Sequence, residues 1–264
     1  MINRETKLFM SAARSPGNFG AAIYNQLFKI HNINAVYLPR KIINAASLIA
    51  AIKTLDIKGC SVTMPLKSKV IKYLHKLDRI AEKTGSVNTI VNSHDMLSGY
   101  NTDYYGALDV ISPLKPRSAL IYGAGSVSGS VILALKDSLC RKIMIVARRA
   151  AKARELSGKF NVKYIDKVKS VNQHFDLLIN TTPASNEINH EMFSLLPFVD
   201  VVFDLVVSTV KTALIIQAQK KGCKAIEGIE MSKRQIKKQF EIYTGIKCKI
   251  SSIDDIIKSL YMKK

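Results

Sequence analysis

Acidic residues are scarce in this chain: 20 Asp plus Glu stand against 40 Lys plus Arg, a formal charge of +20. Such a balance attracts nucleic acid, an anionic membrane surface, a phosphorylated cofactor or an anionic substrate, and by itself chooses none of them. The bases form no tail and no base-and-aromatic stripe of the kind that grips single strands, so most are read as solvated faces and no specific nucleic-acid partner is expected. Cysteine is also sparse. Cys60, Cys140, Cys223 and Cys248 make no C-x-x-C pair, which argues against a zinc site or a disulfide framework and fits a reducing, cytoplasmic setting. There is no long uncharged apolar span, and the opening Met-Ile-Asn-Arg-Glu-Thr-Lys lacks the apolar core of a signal peptide, so a soluble protein without a membrane partner is expected. The five histidines show no H-E-x-x-H spacing, no metal is called for, and no nucleophile elbow occurs.

What is present is a sizeable apolar fraction, 47% of 264 residues, enough for one large domain or two modest ones. The stretch from Ala119 to Arg149 organises it. A short apolar run is followed by Gly123-Ala124-Gly125-Ser126-Val127, then by Val127, Val131, Leu135 and Leu139 at helical spacing, then by the run from Lys142 to Ala147. This is a β-α-β unit with a glycine turn. Glycine there lets the chain bend sharply and lets backbone N–H groups approach a pyrophosphate at a helix N-terminus. The third glycine position falls on Ser128, with Gly129 beside it, so the strict G-x-G-x-x-G is broken. Residues Ile143 to Ala153 hold no acid for a ribose 2′-hydroxyl but three bases, Arg148, Arg149 and Lys152, which points to NADP rather than NAD.

Strand and helix alternate from the start, which favours an α/β fold. Lys7 to Met10 reads as a strand, Phe19, Ile23, Leu27 and Ile30 as a helix face, Asn34 to Leu38 as a strand, Ile42 to Lys53 as a helix and Gly59 to Pro65 as a strand. That third strand delivers Lys67 just beyond its carboxyl end, where open α/β sheets put ligands. Val87 to Asn92 and Met96 to Asn101 read as a hairpin presenting Asn88 and then Asp103, an acid that could cap a helix beginning near Tyr104. Further on, Phe175 to Asn180 and Val201 to Val207 read as strands, Ala213 to Lys220 as a helix and Lys224 to Ile226 as a strand. Ile229 to Tyr243 is a helix with Met231, Gln235 and Gln239 along one face.

Together these segments resemble the shikimate dehydrogenase family along nearly the whole chain. The carrying motifs are Ser61-Val-Thr63-Met-Pro65-Leu-Lys67, Gly85-Ser-Val-Asn88-Thr89, Tyr100-Asn-Thr-Asp103-Tyr-Tyr-Gly106, Gly123-Ala-Gly125, Asn180-Thr-Thr-Pro183, and Gly228-Ile-Glu-Met231-Ser-Lys-Arg-Gln235 followed by Phe240-Glu-Ile-Tyr-Thr-Gly245. The resemblance implies a two-domain α/β protein of the shikimate pathway. An N-terminal substrate domain, 1–103, would be completed by C-terminal helices in 229–264, and a Rossmann-type NADP-binding domain would span 104–228. Lys67 and Asp103 become the pair that handles the alcohol proton; Ser15, Thr63, Asn88 and Gln235 hold the substrate. Gly123, Ala124, Gly125, Ser126, Val127, Arg148, Arg149, Thr181, Val206 and Gly228 hold the cofactor. The expected partner is a small cyclic hydroxy acid, and the expected state a monomer or homodimer.

The chain also departs from the family pattern. The Ser-x-Ser-Pro segment that binds a carboxylate keeps Ser15 and Pro16 but has Ala13 at its first serine. The Asp-x-Val-Tyr segment ends in Val207, and Asn-Arg-Thr reads Ala147-Arg148-Arg149. Each lost hydroxyl that leaves a ligand group unpaired costs about 1 to 3 kcal/mol. Three readings follow: hydride transfer between NADP and shikimate or a related acid, the same chemistry on quinate or another polyol acid, or a weakened NADP-binding paralogue with a sensor or nucleic-acid role.

Overall fold

The computed structural model describes residues 2–183, 186–208 and 210–261. Residues 1 and 262–264 of the expected substrate domain, and 184, 185 and 209 of the expected cofactor domain, lie outside them. The chain divides into two compact units, 1–102 with 233–264, and 103–232.

The first unit starts with β1 (Lys7–Ala13), α1 (Phe19–Ile30), β2 (Ala35–Lys41), α2 (Ala45–Thr54) and β3 (Ile57–Val62). It continues with β4 (Lys76–Leu77), α3 (Arg79–Thr84), β5 (Thr89–Ser93) and β6 (Met96–Tyr100). Its sheet runs β2-β1-β3-β5-β6-β4, parallel where β1 meets β2 and β3, antiparallel along β3-β5-β6. Both faces of β1 are covered, as a parallel strand requires. Met10 packs with Leu48 and Ile52 of α2, whereas Phe9 meets the rings of Phe28 and Tyr243 at 5.1 and 5.2 Å. The strand runs to Ala13 rather than ending at Met10, because its pairing to β2 continues to Lys41. Helix α2 begins at Ala45, later than the expected Ile42, because the Asn44 side chain accepts the Ser47 N–H and caps the first turn.

The chain passes from the first unit to the second within α4 (Thr102–Ile111). The second unit then builds β7 (Ser118–Tyr122), α5 (Ser128–Asp137), β8 (Lys142–Val146), α6 (Ala150–Phe160), β9 (Lys163–Ile165), β10 (Phe175–Asn180), α7 (Asn186–Phe193), β11 (Val199–Asp204), α8 (Ala213–Lys220) and β12 (Lys224–Glu227). All six strands are parallel, in the order β12-β11-β10-β7-β8-β9. The order reverses between β7 and β10, so the loop after β7 sits at the switch point of a doubly wound sheet. Residues Ala119 to Tyr122 are all buried, as expected for a central strand covered on both faces. The chain returns to the first unit within α9 (Gly228–Thr244) and ends in α10 (Ile250–Tyr261).

The buried polar core of the first unit centres on Gln239 of α9. Its Nε2 donates to the Asn88 carbonyl (3.1 Å) and Thr89 Oγ1 (2.6 Å); its Oε1 accepts from Tyr24 Oη (2.5 Å) and Ser61 Oγ (2.9 Å). Tyr37 in turn donates to Ser61 Oγ at 2.6 Å. Leucine at 239 would fill similar space but remove four hydrogen bonds, leaving the buried Tyr24 hydroxyl without its acceptor, so Gln239→Leu is expected to lower stability by about 3 kcal/mol in urea unfolding.

Burial pushes the phenols of Tyr24, Tyr37 and Tyr243 above their ordinary value of 10.0. The folded protein therefore keeps protons that the unfolded chain gives up. Stability from this cluster is full below pH 10.0 and declines as pH rises past it. Urea midpoints measured between about pH 9 and 11 are expected to fall with pH, and less steeply in Tyr24→Phe.

Candidate functional site

In the first unit, the turn after β3 carries Thr63 and Lys67. Thr63 is tied to β1 through its N–H to the Ala12 carbonyl (3.1 Å), and Leu66, fully buried, donates back to the Thr63 carbonyl (2.9 Å). The Lys67 carbonyl accepts the Val87 N–H at 2.9 Å, fixing a half-buried lysine beside the start of the hairpin. Ser15 is exposed in the loop after β1, and Ala13 is buried at that strand's end.

Asn88 does more than the sequence predicts. Its Oδ1 accepts from the Thr102 N–H (2.8 Å), Thr102 Oγ1 (3.1 Å) and Thr89 Oγ1 (2.8 Å). A side chain fourteen residues upstream thus satisfies an N–H at the start of α4. Asp103 is not that helix's cap: α4 begins at Thr102, and Asp103 lies buried in its first turn. On α9, Gln235 is half-buried, and the buried glutamine with the network is Gln239, one turn on.

In the second unit the turn after β7 is built by Ser128. The Gly125 N–H donates to its Oγ at 3.0 Å, and that oxygen lies 3.1 Å from the Gly123 carbonyl and 2.8 Å from Thr181 Oγ1. Thr181 Oγ1 also donates to the Tyr122 carbonyl at 3.0 Å. A hydroxyl thus ties together the turn at the position where a third glycine was expected. Gly129, next to it, keeps the contact with α6 close: an added Cβ would sit 3.2 Å from the Phe160 ring. Helix α5 has no side-chain cap, so its first N–H groups suit an anion laid across Ser126 and Val127.

The far side of the switch point is ordered by Asp204, a buried carboxylate at the end of β11. It accepts from Asn180 Nδ2 (2.8 Å), Thr212 Oγ1 (2.6 Å) and the Val206 N–H (3.2 Å). This turn ends the strand at Asp204, three residues before the Val207 read from the sequence. Val206 then passes beside Gly228, where a Cβ would meet the Leu205 and Val206 carbonyls at 2.6 Å, so only glycine fits. Val207 is half exposed and offers no hydroxyl.

Beyond the carboxyl ends of β7, β8 and β9 lies a cavity of about 570 Å³, within the range of ligand sites. Tyr122, Val146, Arg148, Lys167, Lys169 and Glu191 contribute to its wall. Arg148 lines this cavity, whereas Arg149 precedes α6 and is exposed outside the lining. Sequence reading missed Tyr122 and Glu191, which hydrogen-bond to each other across 69 residues. Among the described residues, one group with ligand-like spacing is His174, Asp176 and Asp200, at the opposite ends of the strands from the glycine turn. There Asp176 Oδ2 already accepts the Arg117 and Ser118 N–H groups.

The two glycines of the turn separate fold from binding. Gly123 has φ +118°, and a Cβ would lie 2.5 Å from Thr181 Oγ1, so Gly123→Ala is expected to cost about 1 to 3 kcal/mol of stability. At Gly125 the nearest atom to a Cβ is 3.8 Å away. Gly125→Ala is expected to change stability by less than about 1 kcal/mol while weakening dinucleotide binding, read by urea unfolding and calorimetry side by side.

Comparison with known proteins adds to this geometry. Residues 15–90 match the family described as shikimate dehydrogenase substrate binding domain, and residues 105–207 match that described as shikimate / quinate 5-dehydrogenase. A shikimate dehydrogenase-like protein of Haemophilus influenzae is 32% identical, the alignment covering 92% of this chain and 93% of that one. The shikimate dehydrogenase (NADP(+)) of Sulfolobus acidocaldarius is 34% identical over 100% and 98% of the two chains. A crystal structure of a shikimate dehydrogenase in complex with NADP+ superimposes with a TM-score of 0.85 at 28% identity, covering 100% of this chain and 98% of that one.

Proposed function

This chain belongs to the shikimate dehydrogenase family, and from that premise we propose that it oxidises a secondary alcohol of shikimate, or of a closely related cyclic hydroxy acid, with Lys67 and Asp103 handling the proton. The protein is an NADP-dependent oxidoreductase of the shikimate dehydrogenase type. When bound, the cofactor supplies the hydride acceptor at its nicotinamide. The residues that would hold it are Gly123 to Val127 around the pyrophosphate and Arg148 at the 2′-phosphate, with Thr181, Val206 and Gly228 along the switch point. Their fit rests on the tight glycine turn, on the uncapped N-terminus of α5 and on the missing acid after β8.

As hydride leaves carbon, the hydroxyl must lose its proton to a base within hydrogen-bond reach. Lys67 and Asp103 fill that role together. The lysine takes the proton and steadies the developing alkoxide, and the carboxylate orients the ammonium. The observation that supports the reading is the burial of Asp103 in the first turn of α4, directly after Thr102, whose N–H and hydroxyl are both held by Asn88. Ser15, Thr63, Asn88 and Gln235 are assigned to the substrate's polar groups.

Quinate, or another acid differing at the carboxylate-bearing carbon, is the second reading. It is favoured by Ala13, a buried methyl where the family pattern has a serine hydroxyl. Nicotinamide reduction followed with NADP and either shikimate or quinate, and with NAD in parallel, ranks the acids. Lys67→Ala is expected to lower turnover by about 10²- to 10⁴-fold while leaving the NADP dissociation constant nearly unchanged. Near wild-type turnover in that variant would overturn the assignment.

A further inference from the structure

Resting on the NADP reading above, we propose that Glu191 recognises the adenine base of the dinucleotide, accepting a hydrogen bond from its exocyclic amine. Glu191 belongs to α7 and faces the cavity beyond the ends of β7 and β8. That cavity adjoins the glycine turn, since Tyr122 immediately precedes Gly123 and Arg148 follows β8. In a doubly wound sheet this is the side that receives the adenosine half of a dinucleotide.

A carboxylate in such a place needs a reason. Arg148, Lys167 and Lys169 in the same wall suit phosphate, and Glu191 would repel it. Only a hydrogen-bond donor on the ligand gains from Glu191. The adenosine half of NADP has few such donors: the 2′-oxygen is phosphorylated, and the remaining ribose hydroxyl is on the carbon next to that phosphate, which the cations of the wall would draw to themselves. The base amine is the donor left for a group on α7. Val146 and Val168 supply apolar walls suited to a flat ring.

The carboxylate is also held in place. Tyr122, itself buried, donates its phenol hydrogen to Glu191 Oε2. Burial first, and then the adjacent carboxylate, push that phenol above its ordinary range, so it stays protonated and remains a donor. One oxygen of Glu191 is thereby held by the Tyr122 hydroxyl, which keeps the carboxylate at the cavity wall. A glutamate on an exposed helix would otherwise sample several rotamers, and fixing it beforehand reduces the ordering cost of binding.

The test compares NADP with its hypoxanthine analogue, in which a carbonyl oxygen replaces the amine, by calorimetric titration of the full chain. The wild type is expected to bind NADP roughly tenfold more tightly than the analogue. In Glu191→Gln the amide can donate to the carbonyl oxygen, and the preference is expected to fall to parity or reverse. Tyr122→Phe, which keeps the ring and removes the tether, is expected to narrow the preference while NADP still binds. An unchanged preference in Glu191→Gln, or no preference in the wild type, would overturn the role of Glu191 alone. Absence of binding by wild-type protein to either dinucleotide would instead overturn the NADP reading.

Discussion

A single amide oxygen, Oδ1 of Asn88, ties the hairpin of the first unit to the start of α4. It takes the first N–H of α4 and two hydroxyls, while the backbone carbonyl of the same residue takes the Val62 N–H at 2.8 Å and Gln239 Nε2. Strand β3, the hairpin, α4 and α9 therefore meet at one residue. Thr102, the last residue of the chain's first stretch in this unit, has its N–H and its hydroxyl both engaged there. The side chain and the backbone carbonyl of one residue thus fix a structural junction of the first unit.

The second unit uses the same economy with different chemistry. Ser128 and Asp204 are buried polar side chains at the switch point, and each is engaged by at least three neighbours. Unpaired, either would cost more than a lost hydrogen bond contributes; paired, each locks loops at the carboxyl ends of the strands. The rigidity comes from satisfied polar groups placed on top of an all-parallel apolar sheet, so the ligand side is polar and ordered while the core beneath it is dry.

Local features were legible in the sequence. The glycine turn, the hairpin around Ser93 to Asp95 and the amphipathic α9 follow from spacing within a window of a few residues, and the turn chemistry of Gly123 is confirmed by a φ that other residues avoid. Features decided by distant partners were not legible. Periodicity puts Gln235 and Gln239 on one helical face, but which of them is buried depends on Tyr24, 215 residues away. Likewise Ser128 looks like a defect in a glycine motif until Thr181, 53 residues on, comes beside it. Tyr122 reads only as the last apolar residue of a strand, because its partner Glu191 lies on a helix that the sequence pattern did not mark.

The interruption of the first unit by the second sets an order of construction. During synthesis residues 103–232 emerge as one uninterrupted stretch with their whole sheet, and domains generally fold as they become complete. The first unit cannot finish then: Tyr24, Ser61 and the Asn88 carbonyl wait for Gln239, and the ring of Phe9 waits for Tyr243. The first unit is thus closed by helices that are made after the whole of the second. A nascent chain stopped at residue 232 would carry the complete second unit attached to an open apolar sheet, so damage in α9 would be felt in β1 and α1.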